Sequence, residues 1–111
     1  MIGGSGERKT LRLVARYADA CNLFGADPAT VRHKLELLSA HCEDAGRDPR
    51  TVMATMIHGS DPLDEVDRFL AGMEEYAALG IEQVWVSARP PDPVAWVSRI
   101  CEQVLPRLRD V

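Results

Sequence analysis

Gly3-Gly4-Ser5-Gly6, running directly into a segment of helical periodicity from Glu7 to Ala18, is the stretch of this 111-residue chain best suited to hold an anion. Glycine lets backbone N–H groups approach a phosphate with no Cβ in the way. A helix opening at the loop adds positive potential. Asn22, in the apolar run Ala20–Phe24 that follows, either hydrogen-bonds a ligand near that phosphate or satisfies a buried backbone group. Arg8 and Lys9 either lend charge to the phosphate or ride on a solvated helix face. The bland competitor for the whole stretch is a plain strand-to-helix turn. It is not the dinucleotide fingerprint, because the GxG of Gly4 and Gly6 lacks the third glycine, and it has no Gly-Lys-Ser/Thr of a Walker loop.

Other reactive side chains are scattered. His58 follows a predicted strand, where an imidazole can donate a proton, but no acid or base partner is visible in the sequence. His33 and His41 fall on one predicted helix without metal-ligand spacing, and Arg89 follows the last predicted strand, facing either an anionic cofactor tail or solvent. Asp19 reads as a buried carboxylate tying a helix end to a strand. Cys21, Cys42 and Cys101 lie far apart with no CxxC, and so read as reduced core residues. Nucleophile elbow, HExxH and paired-carboxylate patterns are all missing.

These residues need elements to position them. The periodicity predicts a helix from Glu7 to Ala18 burying Leu11, Val14, Ala15 and Ala18, then a strand from Ala20 to Phe24. A second helix opens at Asp27-Pro28 with a capping carboxylate, buries Val31, Leu35, Leu38 and Cys42, and ends at Gly46. Thr51 to Ile57 reads as a strand buried on both faces. Ser60-Asp61-Pro62 opens a third helix with Leu63, Val66, Leu70, Met73 and Ala77 inward, ended by Gly80. Gln83 to Ser87 is the next strand. Asp92-Pro93 opens a last helix with Val94, Val97, Cys101, Val104 and Leu108 inward, kinked or stopped near Pro106.

The three Asp-Pro pairs that open predicted helices recur at separations of 34 and 31 residues, each after a predicted strand, which is a βα repeat. Strict alternation implies a parallel sheet with right-handed crossovers, either an open sheet or a barrel. In both, ligands gather at the carboxyl ends of the strands, so Gly3–Gly6, Gly25-Ala26, His58-Gly59-Ser60 and Ala88–Asp92 should line one face.

Composition bounds the function. The chain can bury one core, and 46% hydrophobic with 27% charged residues is the balance of an ordinary globular domain. A net charge of −4 argues against a general nucleic-acid surface and favours small-molecule partners. No apolar run is long enough to span a membrane. Met1-Ile2-Gly3-Gly4 lacks the basic region and apolar block of a leader, so the cytoplasm is the expected location.

Ile2-Gly3-Gly4-Ser5-Gly6-Glu7, Thr10-Leu11-Arg12-Leu13-Val14-Ala15 and Tyr17-Ala18-Asp19-Ala20-Cys21-Asn22 together resemble the luciferase-like monooxygenase superfamily, in particular its oxidoreductases that use the deazaflavin coenzyme F420. The resemblance continues through Ala45-Gly46-Arg47-Asp48-Pro49, Leu79-Gly80-Ile81-Glu82-Gln83-Val84 and Val104-Leu105-Pro106-Arg107-Leu108. It implies a TIM (β/α)₈ barrel of which the chain is the C-terminal part, about four βα units with strands in sequential order, since a whole barrel takes about 250 residues. It implies that Met1 is an internal methionine of a longer protein, and that most ring-side and substrate-side residues lie on the other half. It also implies F420, or alternatively FMN, bound by its phosphate at Gly3, Gly4, Ser5 and Gly6 with Asn22 nearby. Hydride would then pass between the coenzyme and a small organic substrate, with FMN-dependent monooxygenation as the alternative. The silence of the sequence on acid-base machinery suits chemistry that belongs to a cofactor.

Two other readings stand beside this one: a noncatalytic cofactor-binding or assembly module, and a flavodoxin-like open sheet. Strand order separates the last from a barrel. A lone half-barrel would expose strand edges and side chains such as Trp85 and Met56. Each exposed large apolar side chain forfeits about 1.5–3 kcal/mol. Self-association, or a partner supplying the other half, is therefore expected.

Overall fold

The structure, a computed structural model, describes residues 1–25 and 27–111; Ala26, expected at the ligand face, lies outside the described residues. Strand β1 (Ile2–Gly3) leads through the glycine loop to helix α1 (Thr10–Tyr17). The helix starts later than its periodicity suggests because Glu7–Lys9 are used in a turn, closed where Leu11 N–H donates to Gly6 C=O at 2.9 Å. Strand β2 (Ala20–Phe24) has the expected bounds, and helix α2 (Pro28–Asp44) buries Val31, Leu38 and Cys42. A 3-10 turn over Pro49–Thr51 takes the start of the expected strand, leaving β3 as Met53–Ile57. Helix α3 (Val66–Leu79) ends at left-handed Gly80, and β4 (Ile81–Trp85) begins two residues earlier than expected. Helix α4 (Pro93–Gln103) breaks at Val104 before the short α5 (Leu105–Leu108), whose first turn holds Pro106.

The three Asp-Pro pairs expected to open long helices differ in use. Asp92 is a side-chain cap, its Oδ1 accepting Ala95 N–H at 3.1 Å. Asp27 stands at the N-cap of α2 but makes no side-chain cap bond; only its carbonyl serves, accepting Val31 N–H. Asp61 closes a turn instead, its Oδ1 accepting Leu63 N–H and the Trp96 indole N–H, both at 3.0 Å. That turn delays α3 to Val66 and ties the start of α3 to α4.

Among the described residues the sheet has four strands, all parallel, in the order β1-β2-β3-β4. Sequential order excludes the flavodoxin-type open sheet, which needs a strand-order reversal. It is the order of consecutive units in a (β/α)₈ barrel. The helices pack on a single face. Cys21 and Leu23 of β2, Ala54 and Met56 of β3, and Ile81 of β4 join Leu11, Val14, Val31, Leu38 and Met73 in one core. Met56, expected to meet water in an open half-barrel, is fully buried because it points to the helices.

The opposite face is bare of helices, although Thr55 on it is buried and Met1 Sδ lies 3.6 Å from its hydroxyl. The register aligns Ala20 with Met53, Asn22 with Thr55 and Gln83, and Phe24 with Ile57 and Trp85. Phe24 is 60% and Trp85 50% exposed. The Cα radius of gyration, 15.2 Å, exceeds the roughly 13 Å of a compact domain of this length.

Three further expectations change. The inward face of α4 is Trp96 with Ile100 and then Val104, while Val94, Val97 and Cys101 are exposed. The large indole, anchored on Asp61, sets that rotation. Cys101 is thus not a core residue. Asp19 is also exposed, and the tie expected of its carboxylate is made by its carbonyl, which accepts Met53 N–H at 2.9 Å.

Candidate functional site

The glycine loop is shaped by two neighbours. Gly4 has φ +123°, a conformation that side chains resist, and a Cβ on Gly6 would lie 2.8 Å from Thr10 Oγ1. These two glycines therefore let the loop wrap tightly around Thr10. Gly3 differs: a Cβ there would meet nothing within 4 Å. Packing does not demand glycine at that point, so it leaves open space on the bare face, in register with Asn22.

Two bonds pin the loop to β2. Gly4 N–H donates to Asn22 C=O at 3.0 Å, so this amide extends the strand pairing and is committed. Ser5 Oγ accepts Phe24 N–H at 3.2 Å, which leaves its own proton to donate.

From the other side the loop is held by α2. Lys34 Nζ donates to Ser5 C=O at 2.9 Å and to Glu7 Oε1 at 3.0 Å. His41 Nε2 lies 2.8 Å from Glu7 C=O, and since a carbonyl only accepts, that nitrogen carries the proton. His33 Nε2 lies 3.4 Å from Glu7 Oε1. The Lys34 ammonium holds the Glu7 carboxyl below its ordinary range, helped by His33 and Arg8. Lys34 was not among the residues singled out from the sequence. Lys34 and His41 lie about two helical turns apart on α2, hence on one side of it, but nothing in the sequence says that this side meets the loop. Arg8 and Lys9 are both exposed; Arg8 lines a groove of about 290 Å³ with Arg12, Arg16, His41 and Asp44.

Gly3, Asn22, Thr55 and Gln83 form one row across the bare face. Thr55 is buried, and its hydroxyl lies 2.8 Å from Cys21 C=O and 3.1 Å from Asn22 Oδ1. Having a single proton, it donates to one of them at a time. Next to this row, toward the carboxyl ends of the strands, stand Phe24, Ile57 and Trp85.

The remaining candidates lie beyond β3 and β4. His58 N–H extends the ladder to Trp85 C=O at 2.9 Å. Its ring meets Phe69 edge-on at 5.4 Å, and its Nδ1 lies 3.0 Å from Ser60 Oγ. Arg89 donates to Gly59 C=O at 2.7 Å, joining the loops after β3 and β4 instead of pointing freely into solvent. Among the described residues no cluster of His, Cys, Asp and Glu is arranged to hold a metal ion, and no helix is long and apolar enough to cross a membrane.

No family model and no curated protein matches the sequence. Solved structures do match the fold. One is the coenzyme F420 dependent tetrahydromethanopterin reductase from Methanopyrus kandleri, with a TM-score of 0.73 and 12% identity over 96% of this chain and 50% of that one. Another is an F420-dependent secondary alcohol dehydrogenase in complex with an F420-acetone adduct, with a TM-score of 0.74 and 16% identity over 97% of this chain and 48% of that one. The chain has the fold of half of such a protein. It spans about half the length of each, and its βα units match part of a TIM barrel.

Proposed function

We propose that the chain is the cofactor-binding half of an F420-dependent, luciferase-like oxidoreductase, with the coenzyme's phosphate held at Gly3, Gly4, Ser5 and Gly6 and with Asn22 beside it. The observation that carries this reading is the loop itself. Gly4 and Gly6 fold it around Thr10, while Gly3 leaves open space beside Asn22 at the carboxyl end of β1. Such a cradle suits a phosphate group, and the fold is shared with two enzymes described as F420-dependent. Bound F420 supplies a ring carbon that gives or takes hydride; an organic substrate is the other party. The chain's own residues would bind and orient: Ser5 Oγ, which accepts Phe24 N–H, has its own proton to offer the phosphate. The same cradle would serve FMN, with monooxygenation as the chemistry.

The bare sheet face supports a second element of the proposal. Phe24, Ile57 and Trp85 are covered in the working protein by the other half of a barrel, or by a second copy of this chain, because strands apolar on both faces are stable when both faces are buried. A chain that keeps the cradle but only assembles, without catalysis, is the competing reading drawn from that same face. Fluorescence titration with F420 and with FMN separates these readings. Binding with substrate turnover is expected of the oxidoreductase assembled with its other half, binding without turnover would favour the assembly module, and no binding of either coenzyme would remove the cofactor assignment.

A further inference from the structure

We propose that Lys34 of α2, and not Arg8 or Lys9 beside the loop, supplies the positive charge of the anion site, and that Glu7 is its built-in counter-ion, competing with the bound phosphate for it. The inference rests on the reading of Gly3–Gly6 as a phosphate cradle.

Among the described residues, Lys34 is the cation bonded to the loop. Its Nζ contacts the carbonyl of Ser5, within the cradle, and the carboxylate of Glu7 one residue beyond it. Its side chain is only 20% exposed, against 44% for Glu7, so its charge is less screened than that of a surface lysine. An ammonium has three donors, and two are used among the described residues. The third is left for an anion arriving at the loop. Arg8 instead lines the groove with Arg12 and Arg16 along α1.

Glu7 has the opposite effect. Its carboxylate stands next to the cradle and would repel a phosphate if Lys34 did not balance it. Lys34 therefore does two things at once: it draws in the ligand's charge and neutralises a charge that opposes it. The two residues should respond to substitution with opposite signs. A merely structural brace would respond with the same sign, because removing either partner breaks the same bond.

The test is titration of the full chain with inorganic phosphate and with F420, followed by the amide NMR shifts of Gly3, Gly4, Ser5 and Gly6, in wild type, Lys34→Met, Lys34→Arg and Glu7→Gln. Lys34→Met should weaken binding about tenfold or more, and Lys34→Arg should keep most of it, as expected for loss or retention of a charge-assisted bond. Glu7→Gln should bind more tightly than wild type, and the gap between wild type and Lys34→Met should narrow at high salt. Equal weakening in Lys34→Met and Glu7→Gln, or an unchanged Lys34→Met, overturns the inference. Should Lys34→Met fail to fold by circular dichroism, Glu7→Gln and Lys34→Arg still decide: weakening in Glu7→Gln is fatal. Wild type that binds neither phosphate nor F420 removes the cradle reading itself, an outcome distinct from an insensitive Lys34 in a chain that binds.

Discussion

On one face of the sheet, Cys21, Leu23, Ala54 and Met56 lie under α1, α2 and α3; on the other, Phe24, Ile57 and Trp85 are open to solvent. Both sets come from the same short strands, and both are apolar. Alternation along a strand sends successive side chains to opposite faces, so β2 and β3 are written for burial on two sides. The helices of this chain supply one cover. The bare face also carries the polar row Asn22, Thr55 and Gln83, but for the apolar residues what differs between the faces is the cover that the helices bring to one of them.

Substitutions should separate the faces sharply. Met56→Ala removes a fully buried side chain from the helix side and is expected to cost about 2–5 kcal/mol, read as a fall in the denaturant midpoint. An unchanged midpoint would mean that the helices do not cover that face in solution. Asp92→Ala removes the side-chain cap of α4. It should cost about 1 kcal/mol by the same measurement, whereas Asp27→Ala, which loses no side-chain cap bond, should cost clearly less.

On the bare face, Trp85→Ser should change stability by less than about 1 kcal/mol. Its effect should show in sedimentation, as loss of any self-association or of binding to a separately expressed barrel half. If Trp85→Ser destabilised the chain as strongly as Met56→Ala, the two faces would not differ as described.

Thiol labelling sharpens the same contrast. Burial raises the Cys21 and Cys42 thiols above their ordinary range, while Cys101 is exposed on α4. Iodoacetamide at neutral pH should modify Cys101 promptly and reach the other two only on unfolding, as mass spectrometry would count.

The smallest effect is in acid. Glu7 and Asp48 are held below their ordinary values, mainly by bonds to Lys34 and to Arg50. A carboxyl depressed in the folded state contributes stability that is present above its unfolded value and lost as pH falls through the folded one. The midpoint should therefore drop slightly on going from neutral pH to below the usual carboxylate range, and a Glu7→Gln, Asp48→Asn double variant should drop less. Because both groups are exposed, the difference is small.

Much of this was legible in the residues. The bounds of β2, the buried stripes of α1 and α2, the stop at Gly80 and the break before Pro106 follow from periodicity and from the backbone limits of glycine and proline. The glycine loop was visible as a unit. Lys34 was not, because it lies 29 residues from Ser5 and is one charged residue among several on its helix. The inward face of α4 was misjudged for a related reason: the valines at helical spacing lost to a tryptophan whose indole found Asp61, 35 residues away.

By itself, then, the sequence determined the alternation of strand and helix, the parallel sheet that alternation forces, and the glycine loop between β1 and α1, all of which depend on interactions within a few residues. Only the tertiary structure decided that the helices share one face, that Met56 is inside and Trp85 outside, and that Lys34 of α2 is bonded to the glycine loop. Those outcomes depend on which distant elements meet, and local spacing carries no information about that.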